Sequence, residues 1–125
     1  MKLMTKEIEK ALEKRPLYSQ DGKGGKSKVV VKFFGGPAAT WLITEGQKEP
    51  NGDWTLYGLV TLGFQDDFHP GYLLWEWGYV MLSELASLSF PPFGLPVERD
   101  MWVEPGKMTV SELVFDCYEY GRDRK

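Results

Sequence analysis

Three runs of apolar and β-branched residues, each closed by a turn signal, set the folding problem for this chain. Val29 to Phe34 is interrupted only by Lys32 and is stopped by Gly35-Gly36-Pro37. Thr40 to Glu45 follows, then the turn residues Glu49-Pro50-Asn51-Gly52-Asp53, then Trp54 to Leu62. Branched and aromatic side chains suit a pleated, half-buried surface, while Gly, Pro, Asn and Asp supply tight turns. Connections this short make the three strands antiparallel neighbours.

Other elements flank this core. Ile8, Ala11 and Leu12 recur at helical spacing, so Thr5 to Lys14 predicts a short amphipathic helix capped by Thr5 and ended by Pro16. Ser19 to Lys28, rich in Gly and Lys, has no apolar period and reads as an exposed loop. Gln65 to Gly71 reads as a second loop, and Leu73 to Leu82 as a fourth strand. Ser83 to Ser87 then predicts a short helix capped by Ser83 and ended before Pro91-Pro92. Val97 to Val103 predicts a fifth strand, and Thr109-Val110-Ser111-Glu112 a capping box for a last helix that buries Leu113, Val114 and Cys117. Strands in series with helices at the ends predict a single α+β domain over residues 1–125. It holds a mainly antiparallel sheet of about five strands, with short helices at the N-terminus, after the fourth strand and near the C-terminus, covering one face. Residues 1–4 and 119–125 are expected to fray.

Composition narrows the function classes. Of 125 residues, 42% are apolar and 26% charged, the balance of a folded domain and not of a disordered chain. A net charge of -3 offers no global attraction to phosphate backbones, and Lys23, Lys26, Lys28 and Lys32 read as solvated loop and strand residues. Nonspecific nucleic-acid binding is disfavoured. The lone Cys117 excludes an internal disulfide, and no apolar run is long enough for a signal or a membrane span, so a cytoplasmic location with no membrane partner is expected.

No chemical motif closes. Gly24-Gly25-Lys26-Ser27 imitates the end of a phosphate-binding loop, but Gln20 stands where its first glycine belongs, and a strand follows where a helix must open. Asp66, Asp67, His69 and Glu76 match no zinc or calcium spacing, so neither metal nor cofactor is expected. His69 is the only histidine base for a nucleophile, Cys117 falls on a buried face, and Glu76, Glu98 and Asp100 have no preferred pairing as catalytic carboxylates. No catalytic residue is assigned.

Two surfaces remain. Trp75, Trp77 and Tyr79 alternate along the fourth strand and share one face, which periodicity leaves open between core and interface. With Asp66, Asp67 and Glu76 they are the candidate partner-binding residues. Arg99 shares a face with Val97 and Met101 and needs a carboxylate or carbonyl partner, preferentially an internal ion pair with Glu45 or Glu84. In the alternative, Glu45, Glu98, Arg99 and Asp100 line a pocket for a small ligand or nucleotide.

Gly78 to Asp100, reading GYVMLSELASLSFPPFGLPVERD, resembles DUF2958, a family of small bacterial proteins of unknown function. Gly94-Leu95-Pro96-Val97-Glu98-Arg99-Asp100 is the most specific part. Met1-Lys2-Leu3, Thr5-Lys6-Glu7, Val30-Val31-Lys32-Phe33-Phe34, Thr44-Glu45-Gly46 and Tyr57-Gly58-Leu59-Val60 extend the similarity over nearly the whole chain, and Gln65 to Glu76 departs from it in aromatic and acidic content. The resemblance implies a bacterial, plasmid or phage setting and a mobile-element accessory role. The expectation is then a non-catalytic binding protein that engages a protein partner, such as a host defence or nucleic-acid-processing factor.

Overall fold

The structure, a computed structural model, describes residues 2–121. Its centre is an antiparallel five-stranded sheet in the order β4-β3-β2-β1-β7. β1 is Val31–Gly35, β2 Ala39–Lys48, β3 Trp54–Thr61, β4 Glu76–Met81 and β7 Glu98–Arg99. The expected α+β domain with an antiparallel sheet and three short helices is what forms. β5 (Ser89–Phe90) and β6 (Leu95–Pro96) make a separate small hairpin that the sequence pattern does not announce.

α1 is Lys6–Glu13, with the Thr5 hydroxyl accepting from the Ile8 amide at 3.2 Å. Its inward residues Ile8 and Leu12 join Phe33, Trp41, Ile43, Trp54 and Leu56 in one core cluster. Burial of each such side chain contributes about 1.5–3 kcal/mol. Leu85, from α2 (Leu82–Ser87), closes the same layer. Met81 takes the cap position there, its amide donating to Glu84 at 2.9 Å, while Ser83, the expected cap, donates through amide and hydroxyl to Asp53.

Helices do not keep to one face. α3 (Val110–Leu113) is a single turn with the expected Thr109–Glu112 capping box, and it lies over the opposite face of the sheet. There Val110, Val114 and Cys117 pack on Val29, Leu42 and Leu59. Cys117 lies beyond the helix, in a segment bridged to Leu73. The centre of the sheet is therefore buried on both sides, which explains why Val29 to Val31 and Phe33 are all apolar, while Phe34 is exposed.

Two expectations need correction. The fifth strand does not run from Val97 to Val103: it pairs with β1 only at Glu98 and Arg99, then turns, leaving Met101 exposed and Trp102 93% exposed. The first residues are docked, since Leu3 is buried, Met4 packs on the core, and the Lys2 carbonyl accepts from Arg99. At the other end Tyr120 packs on the second cluster and Gly121 is buried, while the remainder of the tail expected to fray, 122–125, lies outside the described residues.

Candidate functional site

The backbone irregularity that shapes the site lies in the middle of β2. Pairing with β3 runs in step to Ile43 opposite Gly58, then resumes with Glu45 opposite Tyr57, so Thr44 bulges out. Strict alternation would place Glu45 beside Trp41 and Ile43 under α1. One extra residue reverses the facing of everything after it, and Glu45 moves to the side of Tyr57 and Leu59. Gly58 permits this, because a Cβ there would collide with the Leu42 carbonyl and lie 2.8 Å from the Ile43 Cα.

Glu45 is only 2% exposed. Its carboxylate accepts from the Tyr18 amide at 2.7 Å and the Gln20 amide at 2.9 Å. Tyr18 has a φ of 76°, an unfavourable region for a side-chain-bearing residue, and the bond to Glu45 helps hold it there. Gln20 is also buried. Its amide nitrogen donates to the carbonyls of Lys28 and Thr44 at 2.9 and 2.8 Å, and its side-chain oxygen accepts from the Lys28 amide at 2.7 Å. The loop read as merely exposed is thus pinned to the bulge by two polar side chains.

Between this loop and the sheet lies a cleft of about 460 Å³. Glu45, Tyr57, Trp77 and Tyr120 form its inner wall, with Asp21 to Gly25 along the loop side and Glu119 at the other. Tyr57 and Trp77 stack with centroids 5.6 Å apart, and Tyr120 meets Trp77 edge-on while its hydroxyl accepts from the indole N–H at 3.2 Å. Burial, then the charge of Glu45, Asp21 and Tyr120, push the Tyr57 phenol above its ordinary pKa. Gly24-Gly25-Lys26 is a short 3-10 turn ahead of β1, consistent with rejection of a phosphate loop. Gly25 serves packing, since a Cβ there would collide with the Ser111 hydroxyl and lie 3.1 Å from the Tyr120 ring.

The six partner-surface candidates separate. Trp75 and Trp77 are half-buried against the second core cluster, Trp75 donating to Asp116 at 3.0 Å. Tyr79 is exposed, contacts Tyr57 at 4.7 Å, and hydrogen-bonds to Tyr18, a bond that, ahead of burial, raises its pKa. Glu76 and Asp67 are exposed. Asp66 instead organises its own loop: it accepts from the Phe68 amide at 3.0 Å and contacts His69 Nδ1 at 2.9 Å, while the His69 ring stacks on Tyr118.

β4 is an edge strand, with β3 on one side only. Beside it, Val60, Leu62, Phe64, Leu74 and Glu76 border a mainly apolar groove of about 350 Å³. Leu62, Phe64 and Leu74 are exposed, and Phe68 at the loop tip is 89% exposed. Sequence reading placed aromatic and acidic character here but did not single out Leu62, Phe64 or Leu74. The missing signal was the backbone pairing of Phe64 with Leu74, which extends the β3–β4 hairpin outward.

The Arg99 group does not assemble around Glu45. Arg99 stands opposite Phe33, which stands opposite Trp41, so Glu45 is four residues further along β2 and on the other face. That is a separation of about 13 Å along the strand alone. Arg99 Nε donates to the Lys2 carbonyl at 3.2 Å, Asp100 pairs with Lys32 at 3.6 Å, and Glu98 faces solvent. Among the described residues no group of three His, Cys, Asp or Glu side chains could hold a metal ion. Burial raises the Cys117 thiol above its usual range, which disfavours the thiolate.

Architecture and surfaces together define an α+β domain whose sheet is covered on both faces and open at the β4 edge. The chain belongs to DUF2958, a family described as protein of unknown function, which it matches over residues 3–121. No curated protein and no solved structure matches it. Among the described residues no helix is long and apolar enough to cross a membrane.

Proposed function

We propose that this protein is a non-catalytic binding module whose protein partner adds an extended segment to the outer edge of β4. The observation that carries the reading is a six-residue edge strand, Glu76–Met81, bordered by exposed Leu62, Phe64 and Leu74. Every second residue of an edge strand presents an unpaired N–H and C=O, and proteins ordinarily blunt such edges with Lys, Pro or extreme shortness. β4 has none of these; it carries a central Gly78. Main-chain bonds to an added strand supply affinity, and the groove supplies side-chain selection. Glu76 on the groove, and exposed Asp67 in the preceding loop, favour a partner segment with basic residues beside its apolar ones. A cytoplasmic, mobile-element accessory role, with a host defence or nucleic-acid-processing factor as partner, belongs to the same proposal and rests on the family resemblance.

The test is partner capture from bacterial lysate followed by titration of the captured protein against wild type, Tyr79→Lys and Phe64→Asp. Both side chains are exposed, so both variants should keep their fold by circular dichroism. Binding at least tenfold weaker in each variant is expected, a modest loss for a charge placed at an interface centre. Undiminished binding by both variants would remove the edge from the argument.

A further inference from the structure

We infer that the cleft between the glycine-rich loop and the aromatic wall binds an organic cation, an alkylammonium or guanidinium group, with Glu45 as its counter-ion. This does not depend on the edge-strand reading, because the cleft opens on the face of Tyr57 and Leu59 and shares only Trp77 with the edge groove.

The first argument is the state of Glu45. A carboxylate 98% removed from solvent ordinarily has a cationic partner, and no Lys or Arg among the described residues makes a salt bridge with this one. Two backbone amides hold its oxygens in place. A carboxylate has about four acceptor positions, so about half remain for a ligand. Glu45 stands on the inner wall of the cleft, so a cation seated there lies beside its carboxylate.

The second argument is the wall. Tyr57, Trp77 and Tyr120 are mutually braced by stacking, edge contact and the indole–phenol hydrogen bond, which makes a rigid aromatic enclosure. Aromatic faces are negative and attract cations within about 6 Å of the ring centre. The third is charge: among the described residues, Asp21, Glu45 and Glu119 line the cleft, with the Lys23 ammonium as the cation beside them. The raised pKa of the Tyr57 phenol, caused by burial and then by Glu45 and Asp21, reports the same negative environment. Such a potential rejects phosphate, despite the glycines, and the cleft volume falls within the range of small-ligand sites.

The cation has two possible sources: a free metabolite-sized molecule, or an Arg or Lys side chain of another protein. Both are addressed by following the Trp77 indole N–H by NMR, with Trp41 and Trp54, buried in the other cluster, as internal controls. The probes are methylguanidinium, butylammonium, an acetyl-Gly-Arg-Gly amide peptide, and inorganic phosphate. Saturable shifts of Trp77 alone, with at least one cation and not with phosphate, are expected. Tighter binding of the peptide than of methylguanidinium points to a side chain as the source, and equal or weaker binding to a free cation. Glu45→Gln should weaken binding about tenfold or more, Asp21→Asn by about twofold to threefold, and Lys23→Ala should strengthen it. Asp21 and Lys23 are exposed, so their opposite effects remain readable even if the buried Glu45→Gln substitution impairs folding. No Trp77 shift with any cation, an equal response to phosphate, or the same change in both exposed variants overturns the inference.

Discussion

Removing the Gln20 side chain should destabilise this protein more than any other single change in its loops. Gln20 occupies the place of a strand neighbour: it donates to Lys28 and Thr44 carbonyls and accepts from the Lys28 amide, at 2.7 to 2.9 Å. Gln20→Ala leaves three backbone groups to find water, each bond being worth about 0.5–1.5 kcal/mol net, so the loss should be about 3 kcal/mol. Gln20→Met, which fills the space and admits no water, should cost more, because an unsatisfied buried group costs about 1–3 kcal/mol. For 125 residues the unfolding entropy near the midpoint is about 0.26 kcal/mol per kelvin, so 3 kcal/mol lowers Tm by about 11 °C. Thermal unfolding followed by tryptophan fluorescence measures it, with exposed Ser19→Ala as the unaffected control. A Gln20→Ala loss below about 1 kcal/mol would refute the reasoning that this side chain anchors the loop to the bulge.

Two further predictions concern the same sheet and its outer loop. Gly58→Ala should cost about 3 kcal/mol or more, because the new methyl meets backbone at Leu42 and Ile43, whereas Gly78→Ala, with open space around it, should change stability by less than about 1 kcal/mol. Equal thermal shifts for the two would contradict the bulge geometry. The hydrogen bond from His69, then that from the Phe68 amide, lower the Asp66 carboxyl below its ordinary 3.8. A depressed carboxyl stabilises fully above the unfolded value and loses that contribution as pH falls through the folded one. The stability difference between wild type and Asp66→Asn should therefore be fully present above the ordinary carboxyl value of 3.8 and shrink as pH falls through the lowered folded value. A difference that is the same at both extremes would mean that the Asp66–His69 bond does not hold this loop.

The elements legible in the sequence were those with strong local signals. Thr5, the turn at Glu49 to Asp53 and the Thr109–Glu112 box mark their elements because capping and turn chemistry act within a few residues. The Lys2 carbonyl that accepts from Arg99 comes from the far end of the chain, beyond any local signal. Periodicity could not place Glu45, for a physical reason. Alternation assigns faces only while the register is unbroken, and the bulge at Thr44 is specified by the opposing Gly58 and by Gln20, 24 residues upstream of it. Nothing local to Thr40–Lys48 announces it. The short extent of β7 was hidden for a related reason: Val97 to Val103 has strand-like composition, but β1 offers pairing only at Phe33 and Phe34.

β4 links the two surfaces. Its Trp77 and Tyr79 side chains face Leu59 and Tyr57 across β3, while its outer main-chain groups face away from β3. A strand added at that edge would reduce the freedom of β4 to twist, and with it the motion of the Trp77 ring that forms one wall of the cleft. A cation held between Trp77 and Glu45 would brace β4 from the inside in the same way. Each ligand then lowers the ordering cost of the other, and linkage makes the gain reciprocal. The variant Trp77→Leu should weaken both binding events, whereas Asp21→Asn, on the loop and not on β4, should weaken the cation and leave the partner's intrinsic affinity unchanged when no cation is present.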